Sequence, residues 1–549
     1  MRSGLALAEP YPLMIARMMH WVAERPDRVA FAAPAGAGWE RLTYAALGDA
    51  SARIATGLAS LGLTPERPLA LVLENGLDNA LLRLGAMRAG IPFVPMAPGL
   101  LAQPGGRDKL RAMLALATPG AIASADPAIA RAAGAAPVAC AALRAGPDDP
   151  AASGRWRALR PDDVAALFFT SGSTGTPKAV ITTHRMLAAN QQAILQIWPF
   201  LAAPPPEILD WLPWHHTFGG NDNVHKVLWN GGTYWFDDGR PTPALIGRTA
   251  AHLREVAPTL YLSVPRAFEL LVPRLEAEDD LREAFFRRLN AIFIAGAAMP
   301  VPLWERLRAL VDGAADRQGR PIALTSGWGA TEAGSTICMV HFPTDRPGAV
   351  GLPLPGYEVK LVPSGAKSEA RVRGPNVFPG YWRAPAVTAQ AFDEEGFWRT
   401  GDAVRFLDDA APARGLVFDG RVAEDFKLTS GTWVSVGPLR LALLAAAAPH
   451  LQDVAVAGSG RDRLAALCFV AAGADSAAIA AAIARHNAGQ AGSSARIARA
   501  LLLDEAPSQA EGEINDKGYL NQRVALERRA AAVEALYADP PPPQVLRFD

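Results

Sequence analysis

The sequence predicts an α/β protein built on parallel sheet and followed by a smaller α+β unit, and three observations carry that prediction. Segments with helical spacing of Ala and Leu alternate with short β-branched or apolar runs from residue 44 to residue 324, the pattern of strands covered by connecting helices. From residue 348 to 418 the texture turns to short strands and Gly/Pro turns, such as the run Glu369-Ala-Arg-Val-Arg-Gly-Pro375, which reads as a small β-rich subdomain. After Asp419-Gly420-Arg421 the pattern is mixed again. A chain of 549 residues is too long for one core at roughly 100–200 residues per domain.

Taken in order, residues 44–61 carry apolar positions on one helical face, 68–73 form a strand-like run, and 78–89 are helical. Residues 128–153 are rich in Ala, Pro and Gly without clear period, so they are expected as a surface connection or as weak helix and strand. A second alternating stretch begins near residue 163, with strand candidates at 164–169, 260–264, 291–295 and 321–325. The last part offers strands near 454–456 and 464–470, a helix through 477–486 and a Pro-rich tail at 539–543 expected as an extended terminus.

Composition removes several functions. Lys and Arg number 54 against 54 Asp and Glu, so the electrostatic case for binding nucleic acid or an anionic membrane is absent. Half the residues are hydrophobic, which excludes a disordered chain. Cys140, Cys338 and Cys468 are far apart and form no paired motif, arguing against a disulfide framework or a thiolate zinc site. The densest apolar run, residues 441–449, is about half the length of a membrane span. The opening apolar stretch breaks at Glu9 and Pro10, too short for a secretory signal. A cytoplasmic location is the expectation.

The strongest chemical segment is Leu167-Phe-Phe-Thr-Ser-Gly-Ser-Thr-Gly-Thr-Pro-Lys178. It reads as a strand entering a loop in which Gly172 and Gly175 let backbone N–H groups approach an anion, hydroxyls donate further bonds and Lys178 adds charge. This is a phosphate cradle without the Gly-Lys-Ser/Thr of a P-loop; the plain alternative is a Ser/Gly linker. Ser326-Gly-Trp-Gly-Ala-Thr-Glu332 follows the fifth strand candidate. Its Trp328 can stack on a base, Thr331 can bond a phosphate and Glu332 can hold Mg²⁺, or the Trp simply packs in the core.

These two segments are followed by Trp398-Arg-Thr-Gly-Asp402, Phe418-Asp-Gly-Arg421 and Gly512-Glu-Ile-Asn-Asp-Lys517. Five such segments in this order resemble the adenylate-forming (ANL) superfamily of acyl-CoA synthetases, peptide-synthetase adenylation domains and beetle luciferases, over nearly the whole chain. The resemblance implies an N-terminal AMP-binding domain, residues 1–421, with two α/β sheet subdomains and the β-rich one, and a mobile C-terminal lid, residues 422–549. It implies that Thr170, Ser171, Gly172, Ser173, Thr174, Gly175 and Lys178 hold the ATP phosphates. Glu332 would be the Mg²⁺ carboxylate, Thr331 would sit on the α-phosphate, and Trp328 on adenine with Gly296, Ala297 and Ala298 beside it. Asp402 and Arg421 would take the ribose hydroxyls. Lys517 would bridge the substrate carboxylate and the α-phosphate, as two meeting anions require.

The same resemblance places His216 and Phe218 of His215-His216-Thr-Phe-Gly-Gly220, with Gly327, at the acyl pocket, His216 as a gate or wall. Lys427 and Gly431 would border the coenzyme A channel, although a solvated surface lysine explains Lys427 as well. The other seven histidines show no ligand spacing. A finer likeness, to the feruloyl-CoA synthetase branch, rests on Trp214-His-His-Thr-Phe-Gly-Gly-Asn-Asp222, Asn230-Gly-Gly-Thr-Tyr234, Asp237-Asp-Gly-Arg240, the run from Glu424 to Trp433, and Asp516-Lys-Gly-Tyr-Leu-Asn-Gln-Arg523.

The chain departs from the usual pattern at Ala179, where glycine is usual, at Ala423 near the hinge, at Thr429-Ser-Gly431, and at Asn515-Asp516 before the lysine. The function so implied is an ATP-, Mg²⁺- and coenzyme A-dependent ligase for a small carboxylic acid, most specifically a hydroxycinnamate, acting as a monomer or homodimer. Loading of a carrier protein in trans, a luciferase-type oxygenase and a non-catalytic nucleotide-binding regulator are the rivals.

Overall fold

The computed structural model describes residues 1–549 except 10, 171–176, 343, 345, 346, 366, 472, 491, 509–510, 515–519 and 549. Two large sheets and a small four-stranded one organise the chain. The first has six strands in the order Ala136–Val138, Ala121–Ser124, Leu69–Val72, Phe93–Pro95, Val164–Thr170, Lys178–Thr183. Its members are parallel except for the last, which returns antiparallel and pairs Lys178 with Thr170. Residues 128–153, irregular by sequence, supply its edge strand and three short helices.

The second sheet has thirteen strands. Its parallel centre runs through Thr233–Phe236, Glu207–Asp210, Leu260–Ser263, Ala291–Ile294 and Ala323–Ala330. At one end it takes Val29–Ala35 and Gly38–Thr43 from the N-terminus. At the other it continues through Ser335–Met339, Ala349–Pro353, Leu416–Arg421, Trp398–Phe406, Lys367–Arg373 and Glu358–Ser364. The expected β-rich subdomain is therefore hydrogen-bonded into the second sheet. Sheet membership also does not follow chain order. The strand at Val164 belongs to the first sheet and the strand at Val29 to the second.

Helices cover both sheets for local reasons. Tyr44–Ser60 starts where the Thr43 hydroxyl accepts from Ala46 N at 3.2 Å, a side-chain N-cap. It crosses Leu77–Ala89 at Gly85, where a Cβ would lie 2.3 Å from Ile54 Cγ2, so only glycine permits the approach. From the second helix, the buried Arg83 donates to Trp214 O at 2.6 Å and Gly220 O at 3.4 Å. One guanidinium thus anchors both ends of the His215–Gly220 segment on the first sheet's helical layer.

The C-terminal unit has its own core, including Leu443, Val454, Val456, Leu464, Cys468 and Ile483. Its sheet runs Leu451–Ala457, Leu464–Val470, Ile497–Leu503 and Val545–Arg547. The last strand corrects the expectation of an extended terminus, because the residues after the prolines pair antiparallel with Arg499–Leu501. All three cysteines are buried, and burial pushes the Cys140 and Cys468 thiols up to about 12. Among the described residues, no helix is long and apolar enough to cross a membrane.

The Thr331–Ala333 turn is pinned from outside. Buried Tyr357 donates its hydroxyl to Ala333 O at 2.6 Å, and Phe378 N donates to Glu332 O at 2.8 Å. Tyr357→Phe leaves a buried carbonyl short of a donor and is expected to cost about 1–2 kcal/mol. A urea unfolding midpoint unchanged from that of the parent would contradict this role.

Candidate active site

Two sets of side chains converge where the parallel part of the second sheet meets its antiparallel extension. In the first, Trp328 is buried and donates its indole N–H to Asp402 Oδ2 at 2.8 Å. Arg421, paired with Asp402 across adjacent strands, sets its Nε 2.9 Å from Oδ1 of the same carboxylate. Asp402 is nearly buried, and its charge raises the Arg421 guanidinium above its ordinary value. The exposed arginine head and the fixed carboxylate thus offer a donor and an acceptor side by side.

The second set surrounds Glu332. Tyr381 donates its hydroxyl to Glu332 Oε1 at 3.1 Å, and Lys178 Nζ lies 5.3 Å from the centroid of the Tyr381 ring. Burial raises the Glu332 carboxyl above its ordinary value, against the opposing pull of Tyr381 and Arg421. Burial and Glu332 together raise the Tyr381 phenol, which keeps it protonated and donating. A carboxylate in such a place gains from a cation, and Lys178 opens the strand Lys178–Thr183 beside it. The residue types fit a hard divalent ion held against phosphate oxygens.

The sequence expectations fare differently one by one. Ser171, Gly172, Ser173, Thr174, Gly175 and Lys517 lie outside the described residues. Thr170 and Lys178 pair with each other at the ends of two antiparallel strands. Trp328 sits inside the strand Ala323–Ala330 and not in a turn after it, with its N–H committed to Asp402. Gly296 adopts φ 90° just past the strand Ala291–Ile294, with Ala297 and Ala298 following. Thr331 begins the short helical turn that carries Glu332.

At the acyl side, Phe218 is buried and meets Phe293 edge-on with centroids 5.9 Å apart. Gly327 faces the same ring, since a Cβ there would lie 2.7 Å from Phe293 Cζ. The His215 and His216 ring centroids lie 4.4 Å apart with the planes tilted by 49°, and His216 O accepts from Gly220 N at 2.8 Å. Lys427 is exposed with its Nζ 5.0 Å from the Trp433 ring centroid, and Gly431 takes φ 82° in the intervening turn.

Sequence reasoning missed Tyr381 and Phe293. Tyr381 follows Pro379-Gly380, and a glycine preceding a paired aromatic was the available signal. Phe293 carried none, because it reads as one more apolar strand residue. The histidines also need a correction. The fold brings His252 to Asp237 and Asp238 with ligand atoms all within 4.8 Å of one another. The Asp237 carboxylate there accepts from Gly239 N at 2.8 Å and from the Thr249 hydroxyl at 2.6 Å, and meets His252 Nδ1 at 2.8 Å, which makes it a turn-organising side chain.

The C-terminal unit joins this region through a buried ion pair. Lys367 Nζ lies 2.6 Å from Asp425 Oδ2, and Asp425 Oδ1 accepts from Val436 N at 3.0 Å. The segment just past Arg421 is thereby fastened to the antiparallel end of the second sheet.

Raised by burial, Glu332 contributes stability that is fully present below its unfolded value of 4.5 and lost as pH rises through the higher folded value. Glu332→Gln removes that loss. The variant is expected to melt at a higher temperature than the parent at pH 7.5 and at the same temperature near about pH 4. A lower Tm for the variant at pH 7.5 would contradict the burial argument.

Sequence and structure comparisons agree with this geometry. Residues 18–382 match the AMP-binding enzyme family model, and residues 426–540 match the AMP-binding enzyme C-terminal domain. The mitochondrial malonate–CoA ligase of Mus musculus is 30% identical over 346 residues, 57% of this chain and 55% of that protein. The chain thus spans about half the length of the curated relatives it matches. ATP-bound MatB of Rhodopseudomonas palustris superposes with TM-score 0.76 at 24% identity, covering 94% of this chain and 99% of that one. The anthranilate CoA ligase AuaEII bound to anthranoyl-AMP gives TM-score 0.77 at 18% identity, covering 96% and 99%. With two thirds of its length in the matched segment and the site residues gathered at one place, the chain belongs to the AMP-binding enzymes.

Proposed function

We propose that this protein is an AMP-forming acid–CoA ligase. The carboxylate of a small acid attacks the α-phosphate of ATP, forming a P–O bond as pyrophosphate leaves, and the thiolate of coenzyme A then displaces AMP from the acyl carbon. The observation that carries the reading is the convergence of Lys178, Tyr381, Glu332, Trp328, Asp402 and Arg421, which supplies phosphate, metal and ribose partners in one place. Asp402 and Arg421 would orient the ribose through one acceptor and one donor. Glu332 would hold Mg²⁺, which neutralises phosphate charge. Thr331 would bond the α-phosphate, and residues 170–178 would cradle the phosphates.

The second half-reaction needs a different group at the same carbon. We assign it to rotation of the unit spanning residues 422–549 about the segment after Arg421, with Lys517 serving adenylation. Lys427 and Gly431 would then border the thiol channel. The Lys367–Asp425 pair lies at the base of that motion. The acid we favour is a hydroxycinnamate of the ferulate type, supported by the likeness of residues 214–222, 230–234 and 237–240 to the feruloyl-CoA synthetase branch.

The test is AMP release with Mg·ATP across hydroxycinnamates, benzoates, dicarboxylates and fatty acids, with and without coenzyme A. Turnover that depends on coenzyme A is expected. AMP formed without it, and stimulated by an acyl carrier protein, would favour the carrier-loading reading, and ATP binding without AMP would favour a regulator. Lys517→Ala is expected to slow adenylate formation by at least about 100-fold while sparing conversion of a supplied adenylate. Equal loss of both half-reactions would contradict the assignment.

A further inference from the structure

The π-helical segment Phe218–Asn223 runs directly into the α-helix Val224–Asn230, and together they bury an ion pair. Lys226 Nζ contacts Asp222 Oδ2, and both side chains are 0% exposed. A pair of this kind contributes little to stability, because well-packed apolar residues of the same volume serve as well or better. Its position suggests another use. Phe218, Asp222 and Lys226 recur every four residues and so share a helical face.

Two members of that face, Phe218 and Lys226, meet one ring. Lys226 Nζ lies 5.8 Å from the Phe293 centroid, Phe218 packs edge-on against the same ring, and Gly327 has no room for a Cβ beside it. The Thr336 hydroxyl lies 3.4 Å from the second oxygen of Asp222. Under the ligase reading, Phe218 and Gly327 line the acyl pocket. An acid with its carboxylate at Thr331 and its body passing Gly327 then aims its distal end at Phe293 and the ion pair behind it.

We infer that Asp222 and Lys226 form the far wall of the acyl pocket and select acids whose distal end is an uncharged hydrogen-bonding group on an aromatic ring, as in a phenol; the inference rests on the ligase reading. Lys226 is already neutralised by Asp222, so a second substrate carboxylate would find no uncompensated cation there to offset its desolvation. An alkyl end would cover two charges without bonding either. A phenol instead donates its O–H to Asp222 and accepts from Lys226. Because Phe293 covers the pair, it must turn aside as the substrate enters, and an aryl ring replaces it against the ammonium.

The experiment compares kcat/KM for 4-hydroxycinnamate, cinnamate and 4-carboxycinnamate in the full-length protein, by AMP release. The parent is expected to favour the hydroxy acid over cinnamate by at least about tenfold and to reject the dicarboxylate. The variant D222L/K226M, which removes both charges and keeps the volume, should bring the hydroxy-to-cinnamate ratio near about one. A purely structural pair would depress all three acids together and leave the ratio unchanged, and that result overturns the proposal. Lys226→Arg keeps a pair in place and should lower the ratio partially, so the reading survives a double variant that does not fold. A preference for the dicarboxylate, or none among the three, overturns the dyad's role and leaves the ligase standing. Failure to release AMP with any class of acid overturns both.

Discussion

The hydrogen bond from Trp328 to Asp402 joins two parts of the chain that fold for different reasons. Trp328 sits in the last parallel strand of the second sheet, and Asp402 lies 74 residues later in the antiparallel extension. The sheet's continuity makes that distance short in space. A buried indole N–H needs an acceptor, and a nearly buried carboxylate needs donors. Each group satisfies the other, and Arg421 Nε adds a second contact to the same carboxylate at 2.9 Å while its own head stays in solvent. The link adds a side-chain tie, beyond the sheet's backbone register, between the strand carrying Asp402 and the strand that leads into the Glu332 turn.

Around that link the site is arranged as anionic side chains at the centre with cations at the rim. Glu332 is strained toward its neutral form by burial, and Tyr381 and Arg421 offset only part of that cost. Such a carboxylate is a reserve of affinity for a metal ion, since the ion removes the desolvation penalty as it binds. Lys178 and Arg421 approach from two different sheets. A polyanion spanning both would therefore meet a cation from each, while the small C-terminal unit is tethered to the second sheet by Lys367 and Asp425.

Much of this was legible in the sequence. The alternation of helix and strand located the strands at 69–72, 164–170, 260–263 and 291–294 to within a residue or two, because buried parallel strands and their covering helices leave strong periodic signals. Motif order singled out Glu332, Asp402 and Arg421, which the fold brings near one another. What was not legible is long-range pairing. No local pattern says that Val29–Ala35 leaves the first sheet to join Thr233–Phe236, or that the strands after residue 348 extend an existing sheet, since register depends on partners hundreds of residues away. Tyr381 and Phe293 were missed for the same reason. Each is an ordinary aromatic until the fold sets it beside Glu332 or Gly327. Asp222 closes a segment whose likeness to a family branch was visible, but its burial against Lys226, four residues further on, was not.

The central claim is that these converging groups form one Mg·ATP site, and a crystal structure of the protein with Mg²⁺ and a non-hydrolysable ATP analogue tests it most directly. The account predicts the ribose hydroxyls within hydrogen-bonding distance of Asp402 and Arg421, the phosphates along residues 170–178, and the metal ion on the Glu332 side. A nucleotide bound elsewhere, or bound here with its ribose turned away from Asp402, would contradict it.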